Sequence, residues 1–118
     1  MPQPNIYRVN HLNGSTYKLI VQSIDFELRL YNKNGLFFSV NRNTLTEVIQ
    51  NNHFPRLHLN RKYLLRYNNN DGGAGRLNFT IIQFIPNRHP IVVEQYNINS
   101  IIGPNVIEIP FGIIKNNN

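Results

Sequence analysis

Turn-forming residues interrupt this chain at short, regular intervals, and this spacing constrains the fold more than any other feature. The 118 residues include 21 Asn and 15 Ile. Asn and Gly tolerate the backbone angles of tight turns, whereas Ile and other β-branched residues favour strands. A strongly AT-biased genome also produces this pair of excesses, so neither is by itself a functional signal. The spacing predicts a mainly β fold.

Asn-Gly pairs at 13–14 and 34–35 predict paired strands in the first third of the chain. Each pair lies between two apolar runs, and Asn-Gly is the strongest short hairpin signal because both residues accept a positive φ. The runs that flank the two turns are 6–10, 16–24, 26–31 and 36–40. We therefore expect two hairpins or one meander.

A short helix is predicted near 44–52. Thr44 and Glu47 have the spacing of a capping box, in which each side chain accepts a hydrogen bond from the other residue's backbone N–H. Leu45, Val48 and Ile49 then lie on one helical face. The helix is too short to be stable alone, so we expect it to pack on a sheet and to end at the two Asn residues 51–52.

The rest of the chain predicts further strands. These segments are 63–67, 76–85, 91–97, 98–102 and 106–109. The Asn- and Gly-rich segment 68–75 predicts a mobile hairpin tip without an anchoring side chain, and Pro110 predicts that the last segment lies at an edge or a bulge. We expect a single domain over 1–118. Its seven or eight strands would form a small antiparallel sandwich or an OB-like barrel, with the one helix inserted.

The charge pattern predicts contact with a polyanion. Twelve Lys and Arg oppose six Asp and Glu, a net charge of +6, and no acidic residue occurs from 48 to 70. Arginine neutralises phosphates and aromatic rings stack on bases, which are the requirements of single-strand binding. The candidate residues are Arg56, Arg61, Lys62, Tyr63, Arg66, Tyr67, Arg76 and Arg88, with Phe37 or Phe38 as further stacking rings.

The same basic segment has a second interpretation. On one strand, Lys62 and Arg66 alternate with Tyr63 and Tyr67, so the cations and the rings face opposite sides. The tyrosine face would then belong to the core, and the charged face would only be solvated.

Nothing in the sequence predicts catalysis, a metal or a cofactor. The chain has no Cys, and His53 and His58 are too few ligands for a zinc site. Asp25 and Glu27 share a strand face, but we interpret that face as exposed to solvent and not as a catalytic pair of carboxylates. The Gly-rich segment at 72–75 lacks the Lys-Ser/Thr and the following helix of a phosphate-binding loop. We therefore expect a non-enzymatic protein without a small-molecule cofactor.

The apolar C-terminal segment is a candidate for self-association. Strand addition at an exposed edge is one interpretation, and the last core strands of the domain are the other. The residues in question are Val106, Ile107, Ile109, Phe111 and Ile113.

Three functions remain open from the sequence: a nucleic-acid-binding module that prefers single strands, a self-assembling structural protein such as a viral or inclusion-forming subunit, and a carbohydrate-binding β domain. The basic charge places the first ahead of the second, because uncompensated charge repels copies of the same protein. The N-terminus has no signal-peptide pattern, and no apolar stretch approaches the ~20 residues of a membrane helix. We expect an intracellular protein, in the cytoplasm or in a virion or inclusion.

Overall fold

The computed structural model describes residues 3–117, which fold into two facing sheets and one helix. The first sheet has the order β1-β9-β6-β3-β4, with strands β1 Asn5–Val9, β3 Glu27–Asn32, β4 Gly35–Asn41, β6 Lys62–Asn69 and β9 Asn105–Lys115. The second sheet has the order β5-β2-β7-β8, with strands β2 Thr16–Ile24, β5 Arg56–Leu57, β7 Ala74–Phe84 and β8 Ile91–Ile102. The helix α1 spans Leu45–Asn51.

The prediction of a mainly β fold, a small sandwich or barrel with one short helix, is confirmed. The described chain has nine strands instead of seven or eight, and β1 pairs parallel to β9, so the sheets are not wholly antiparallel. Beyond shifts of one or two residues at several ends, the strands differ from the prediction in three respects. The two-residue strand β5 is additional, residues 91–102 form one strand instead of two, and β9 continues through Pro110 and Gly112 to Lys115. Pro110 is tolerated inside β9 because β1 begins to pair only at Phe111, so one side of β9 has no neighbouring strand at the proline.

Three chain segments pass from one sheet to the other at the same end of the sandwich. They join β2 to β3, β6 to β7, and β8 to β9. Strand β2 pairs with β7 in the second sheet, and β3 pairs with β6 in the first, so two paired strands bend together from sheet to sheet. We call this the crossover end.

Asn69 holds the crossover end together. Its buried side-chain amide donates hydrogen bonds to the carbonyl oxygens of Gly73 (3.1 Å) and Ile101 (2.8 Å), and its Oδ1 accepts one from the N–H of Asp71 (2.9 Å). The prediction that segment 68–75 is an unanchored hairpin tip was therefore wrong. Its flanking strands β6 and β7 lie in different sheets, and Asn69 ties it to the core.

Only one of the two predicted hairpins forms. Strands β3 and β4 pair antiparallel around a turn at Lys33-Asn34, where Gly35 takes a φ of 116°. The hairpin predicted around Asn13-Gly14 is wrong, because β1 lies in the first sheet, parallel to β9, and β2 lies in the second. The Asn-Gly signal reports a tight turn but not whether its flanking strands pair.

Helix α1 closes one side of the sandwich. It connects β4 to β5, the outer strands of the two sheets, and contacts β2 and β4. It ends at Asn51, and the following C-cap residue Asn52 takes a left-handed φ of 52°. The predicted capping box does not form. The hydroxyl of Thr44 instead accepts a hydrogen bond from the N–H of Asn41 (3.0 Å). No helix in the described part of the chain is long and apolar enough to cross a membrane.

Candidate nucleic-acid interface

Strand direction gathers most cationic side chains at the end opposite the crossovers. Turns and strand ends meet there, in segments 10–15, 32–35, 58–61, 86–90 and 115–117. These segments contain no acidic residue. Eight of the twelve Lys and Arg residues lie at this end, namely Arg8, Lys18, Lys33, Arg56, Arg61, Lys62, Arg88 and Lys115. We call it the basic end.

Most acidic side chains lie elsewhere, and several of them pair with the remaining cations, whereas Glu94 lies on β8 beside the basic end. Asp25, Glu27 and Asp71 lie at the crossover end. Strand β6 separates the two ends by about 23 Å, since it advances seven residues at ~3.3 Å each. The ion pairs in the described part of the chain are Arg76–Asp25 (3.2 Å), Arg29–Glu27 (3.1 Å) and Arg66–Glu108 (4.0 Å). The charge of the domain is therefore strongly polarised along its strands.

Two hydrogen bonds fix the segment that leads into β6 at the basic end. The hydroxyl of Tyr63 accepts a bond from the N–H of His58 (2.8 Å), and the N–H of Asn60 donates to the carbonyl oxygen of Ile113 (2.8 Å). Asn60 takes a left-handed φ of 63°, which Asn adopts at low cost. This segment passes from β5 in one sheet to β6 in the other and places Arg61 at its exposed end.

A shallow cleft of about 420 Å³ lies at the basic end, between this segment and the β3–β4 turn. Its lining contains three cations and no carboxylate, and consists of Asn32, Lys33, Asn34, Asn60, Arg61 and Lys62. Amide and cationic side chains together offer hydrogen-bond donors to an anion, and Arg adds a planar fork that fits phosphate. The cleft is therefore suited to a phosphate group.

An apolar groove of about 380 Å³ adjoins the cleft and shares Asn60, Arg61 and Lys62 with it. Ile6, Pro110 and Ile114 contribute to its lining, and Gly112 in β9 leaves space that a larger residue would fill. The two depressions form one surface that is cationic on one side and apolar on the other.

The cations also act on His58. Partial burial lowers its pKa below the ordinary value of 6.5, and the positive charges of Arg61 and then Arg56 lower it further. His58 is therefore largely neutral at pH 7. A bound phosphate would reverse part of this effect by offsetting the neighbouring charges.

The structure divides the predicted phosphate-binding residues into two groups. Arg56, Arg61, Lys62 and Arg88 lie at the basic end. Arg66 lies in the middle of β6 beside Glu108, and Arg76 pairs with Asp25 at the crossover end, so neither belongs to the cleft.

Lys33 lines the cleft but was not among the predicted residues. It is nearly thirty positions from Arg61 in the sequence, and only the pairing of β3 with β6 brings the two together. Its place in an Asn-Gly turn, which exposes the lysine, was the only sequence signal.

The predicted stacking tyrosines are core residues. Tyr63 is 4% exposed and Tyr67 is 0% exposed, so neither ring can meet a base in the folded domain. The alternation of β6 is real, but its tyrosine side faces the second sheet. Phe38 is also partly buried against the core, whereas Phe37 is 40% exposed and its ring centroid lies 5.9 Å from that of Tyr63. Phe37 is thus the one predicted ring that remains accessible among these four.

The predicted self-association strand lies inside the sheet. Strand β9 is flanked by β6 along most of its length and by β1 from Phe111 onward. Ile109, Phe111 and Ile113 are buried in the core, and Ile107 packs against it. Only Val106 is exposed. The core interpretation of this segment is therefore the correct one.

Among residues 3–117, no group of three or more His, Asp or Glu side chains is placed to hold a metal ion. Comparison of the chain with protein-family models, curated protein sequences and solved structures gives no match.

Proposed function

We propose that this domain binds single-stranded nucleic acid at its basic end and catalyses no reaction. The observation that carries the proposal is the polarisation of charge along the strands. The five segments that form the basic end contain four cations and no carboxylate, and four more cations lie on the strand residues beside them, where Glu94 on β8 is the nearest acidic residue. A protein that only needed solubility would gain nothing from this separation. A polyanion, by contrast, is attracted to a surface on which cations are concentrated and unopposed.

The cleft supports phosphate as the group that is bound. Lys33, Arg61 and Lys62 line it together, and none of them forms an ion pair with another described residue. Their charges are therefore available to a ligand without first breaking an internal contact. Arg56 lies close enough to lower the pKa of His58 and adds to the same field.

The surroundings of the cleft favour a single strand over a duplex. Bases are accessible for stacking only when they are not paired. Phe37 follows the turn that lines the cleft and presents an exposed ring beside Tyr63, although it lines neither depression, and the groove over Gly112 offers apolar surface. A stacked base contributes about 1–3 kcal/mol to single-strand affinity.

The salt dependence of binding tests the phosphate part of the proposal. Affinity for a labelled single-stranded oligonucleotide is measured by fluorescence anisotropy over a series of salt concentrations. We expect the logarithm of the affinity to fall linearly with the logarithm of salt concentration, with a slope of about −0.7 per phosphate contact. The double variant Arg61→Gln/Lys62→Gln should make this slope shallower by about 1.4.

The double variant Arg29→Gln/Arg66→Gln is the matched control. It removes the same two positive charges, but from ion pairs in the middle of the first sheet. Its slope should stay close to that of the wild type. Absence of binding at low salt, or a slope that responds equally to both double variants, would contradict the proposed interface.

Base stacking is tested separately at Phe37. We expect Phe37→Leu to weaken binding of a single strand by roughly fivefold or more, and Phe37→Tyr to retain it. An abasic oligonucleotide of the same length should bind the wild type and Phe37→Leu equally well. Equal loss of affinity for the normal and the abasic oligonucleotide would show that the ring supports the fold of the site without contacting bases.

A further inference from the structure

Strand β8 is an open edge of unusual length. It runs for 12 residues and pairs only with β7, so within the described chain its other side has no neighbouring strand. Natural proteins commonly protect such edges with Lys or Pro, or with bulges that bend the strand away. Residues 91–102 contain no Lys, Arg or Pro, and Glu94 is their one charged residue.

Bulges interrupt β8 in two places but leave its centre regular. Val93 has no partner on β7, and an extra residue lies between Ile98 and Ile101. Between these points, residues 94–98 pair with β7 in continuous register around Tyr96. The regular part of the edge is therefore five residues long and centred on Tyr96, whose ring stacks on Phe79 at 5.0 Å.

Exposed side chains along β8 have a symmetric arrangement. Large apolar residues lie at both ends, with Ile91 48%, Val92 57% and Ile102 61% exposed. The exposed side chains of Gln95 and Asn97 lie on either side of Tyr96. A strand with apolar ends and amides about its centre is complementary to a copy of itself in the opposite direction.

We infer that a second copy of this chain adds its β8 antiparallel to β8, about a two-fold axis at Tyr96. Gln95 of each copy then faces Asn97 of the other, and two amides in this position can exchange hydrogen bonds. Ile91 and Val92 of one copy lie near Ile102 of the other. The two four-stranded sheets become one continuous sheet, and both open edges are covered.

The polarised charge supports this partner and this direction. Antiparallel addition places the basic end of one copy beside the crossover end of the other. Arg88, in the turn before β8, then lies near Asp71, in the crossover that contacts Gly103 just after β8. A parallel arrangement would bring the two basic ends together and would be opposed by their repulsion.

The oligomeric state in solution tests the inference. Nuclease-treated protein is examined by size-exclusion chromatography with light scattering over a wide concentration range. We expect a concentration-dependent species of twice the 13.8 kDa chain mass. The double variant Gln95→Lys/Asn97→Lys places like charges directly opposite each other at two symmetric positions, and should weaken dimerisation roughly tenfold or more.

Two further variants distinguish the β8 contact from a general effect of charge. Gln95→Lys/Asn97→Glu keeps both altered positions but makes each facing pair opposite in charge, so it should restore the dimer. Thr46→Lys/Gln50→Lys adds the same two charges on exposed positions of α1 and should leave the dimer unchanged. A monomer at every concentration would overturn the inference. A dimer that is indifferent to the β8 variants, or a larger assembly, would also overturn it. Nucleic-acid binding has no part in these outcomes.

Discussion

The hydroxyl of Tyr63, a side chain in the core, accepts a 2.8 Å hydrogen bond from the backbone N–H of His58 at the surface. The ring is packed between the sheets, and its stacked neighbour Phe111 lies at 5.3 Å. Only the oxygen reaches the segment that carries Arg61. Tyr63, which the sequence predicted to stack on a base, therefore acts on the proposed site indirectly. It positions the backbone beside the phosphate-binding cations.

Tyr63→Phe should remove that hydrogen bond with little change in packing. We expect a loss of about 1 kcal/mol in the free energy of unfolding and a several-fold weaker affinity for single-stranded oligonucleotide. Tyr67→Phe is the matched control on the same strand and face. The Tyr67 hydroxyl is buried and has no hydrogen-bond partner among the described residues, so its removal should raise stability by up to about 1 kcal/mol. Urea unfolding and anisotropy measure both effects, and equal responses of the two variants would refute the assignment.

Gly75 makes room for the hydroxyl of Tyr67. A Cβ at position 75 would collide with that oxygen and would press on Phe26 and Asn69. We expect Gly75→Ala to destabilise the domain by roughly 1–3 kcal/mol, as overpacking of a core does. Combining it with Tyr67→Phe should recover part of the loss, because the closest collision disappears. A double-mutant cycle by urea unfolding measures this coupling, and strictly additive effects would exclude it.

Asn69 is expected to be the most sensitive polar residue at the crossover end. Asn69→Ala leaves the carbonyl oxygen of Ile101 without its donor and releases the turn at Asp71. We expect a loss of about 2–3 kcal/mol in the free energy of unfolding. Asn70→Ala, at the exposed neighbouring position, should change stability by less than about 0.5 kcal/mol. Hydrogen exchange at residues 70–75 should accelerate in the first variant only.

The lowered pKa of His58 predicts a loss of stability in mild acid. Its pKa in the folded state lies below the unfolded value of 6.5 because of burial, Arg61 and Arg56. The unfolded chain therefore takes up this proton first, and stability falls as the pH drops below about 6.5. In His58→Gln this part of the pH dependence should be absent, which thermal unfolding between pH 5 and pH 7.5 would reveal. Saturating oligonucleotide should raise the pKa of His58 in the wild type, as followed by NMR.

Tyr7 predicts a second pH dependence, at alkaline pH. Burial raises its pKa to about 12, and the charges of Glu94 and Tyr96 contribute further. The folded state thus holds this proton more tightly than the unfolded chain, in which the pKa of Tyr7 is 10.0. The stability that this difference in pKa contributes is fully present below about pH 10 and is lost as the pH rises toward 12. The free energy of unfolding of Tyr7→Phe should fall less over this pH interval than that of the wild type. Identical alkaline transitions would argue against the raised value.

Much of the local structure could be predicted from the sequence. Residues 16–24 form a strand with the predicted bounds, the helix ends at the predicted pair of asparagines 51–52, and Gly35 makes the predicted hairpin turn. These features depend on the preferences of a few neighbouring residues. The alternation in β6 was also correct, since it depends only on the two-residue period of a strand.

Strand pairing, and with it the candidate site, could not be predicted in the same way. Asn13-Gly14 has the same local signal as Asn34-Gly35, yet β1 pairs with β9, about a hundred residues away. Asn69 is one of three consecutive asparagines, and only the meeting of two crossovers makes it a buried anchor. Pairings over such distances are selected by the fit of whole faces in the core, which a local pattern does not encode.

The sequence by itself thus determined where the chain turns, which residues alternate along each strand and how large the net positive charge is. The tertiary structure decided which side of β6 is the core, which strand remains an open edge and where the charges gather. Arg61 and Lys33 become neighbours, and Arg76 becomes the partner of Asp25, only because β3 pairs with β6 and β2 pairs with β7. Charge has no local preference for either end of a strand, so its distribution follows from the topology.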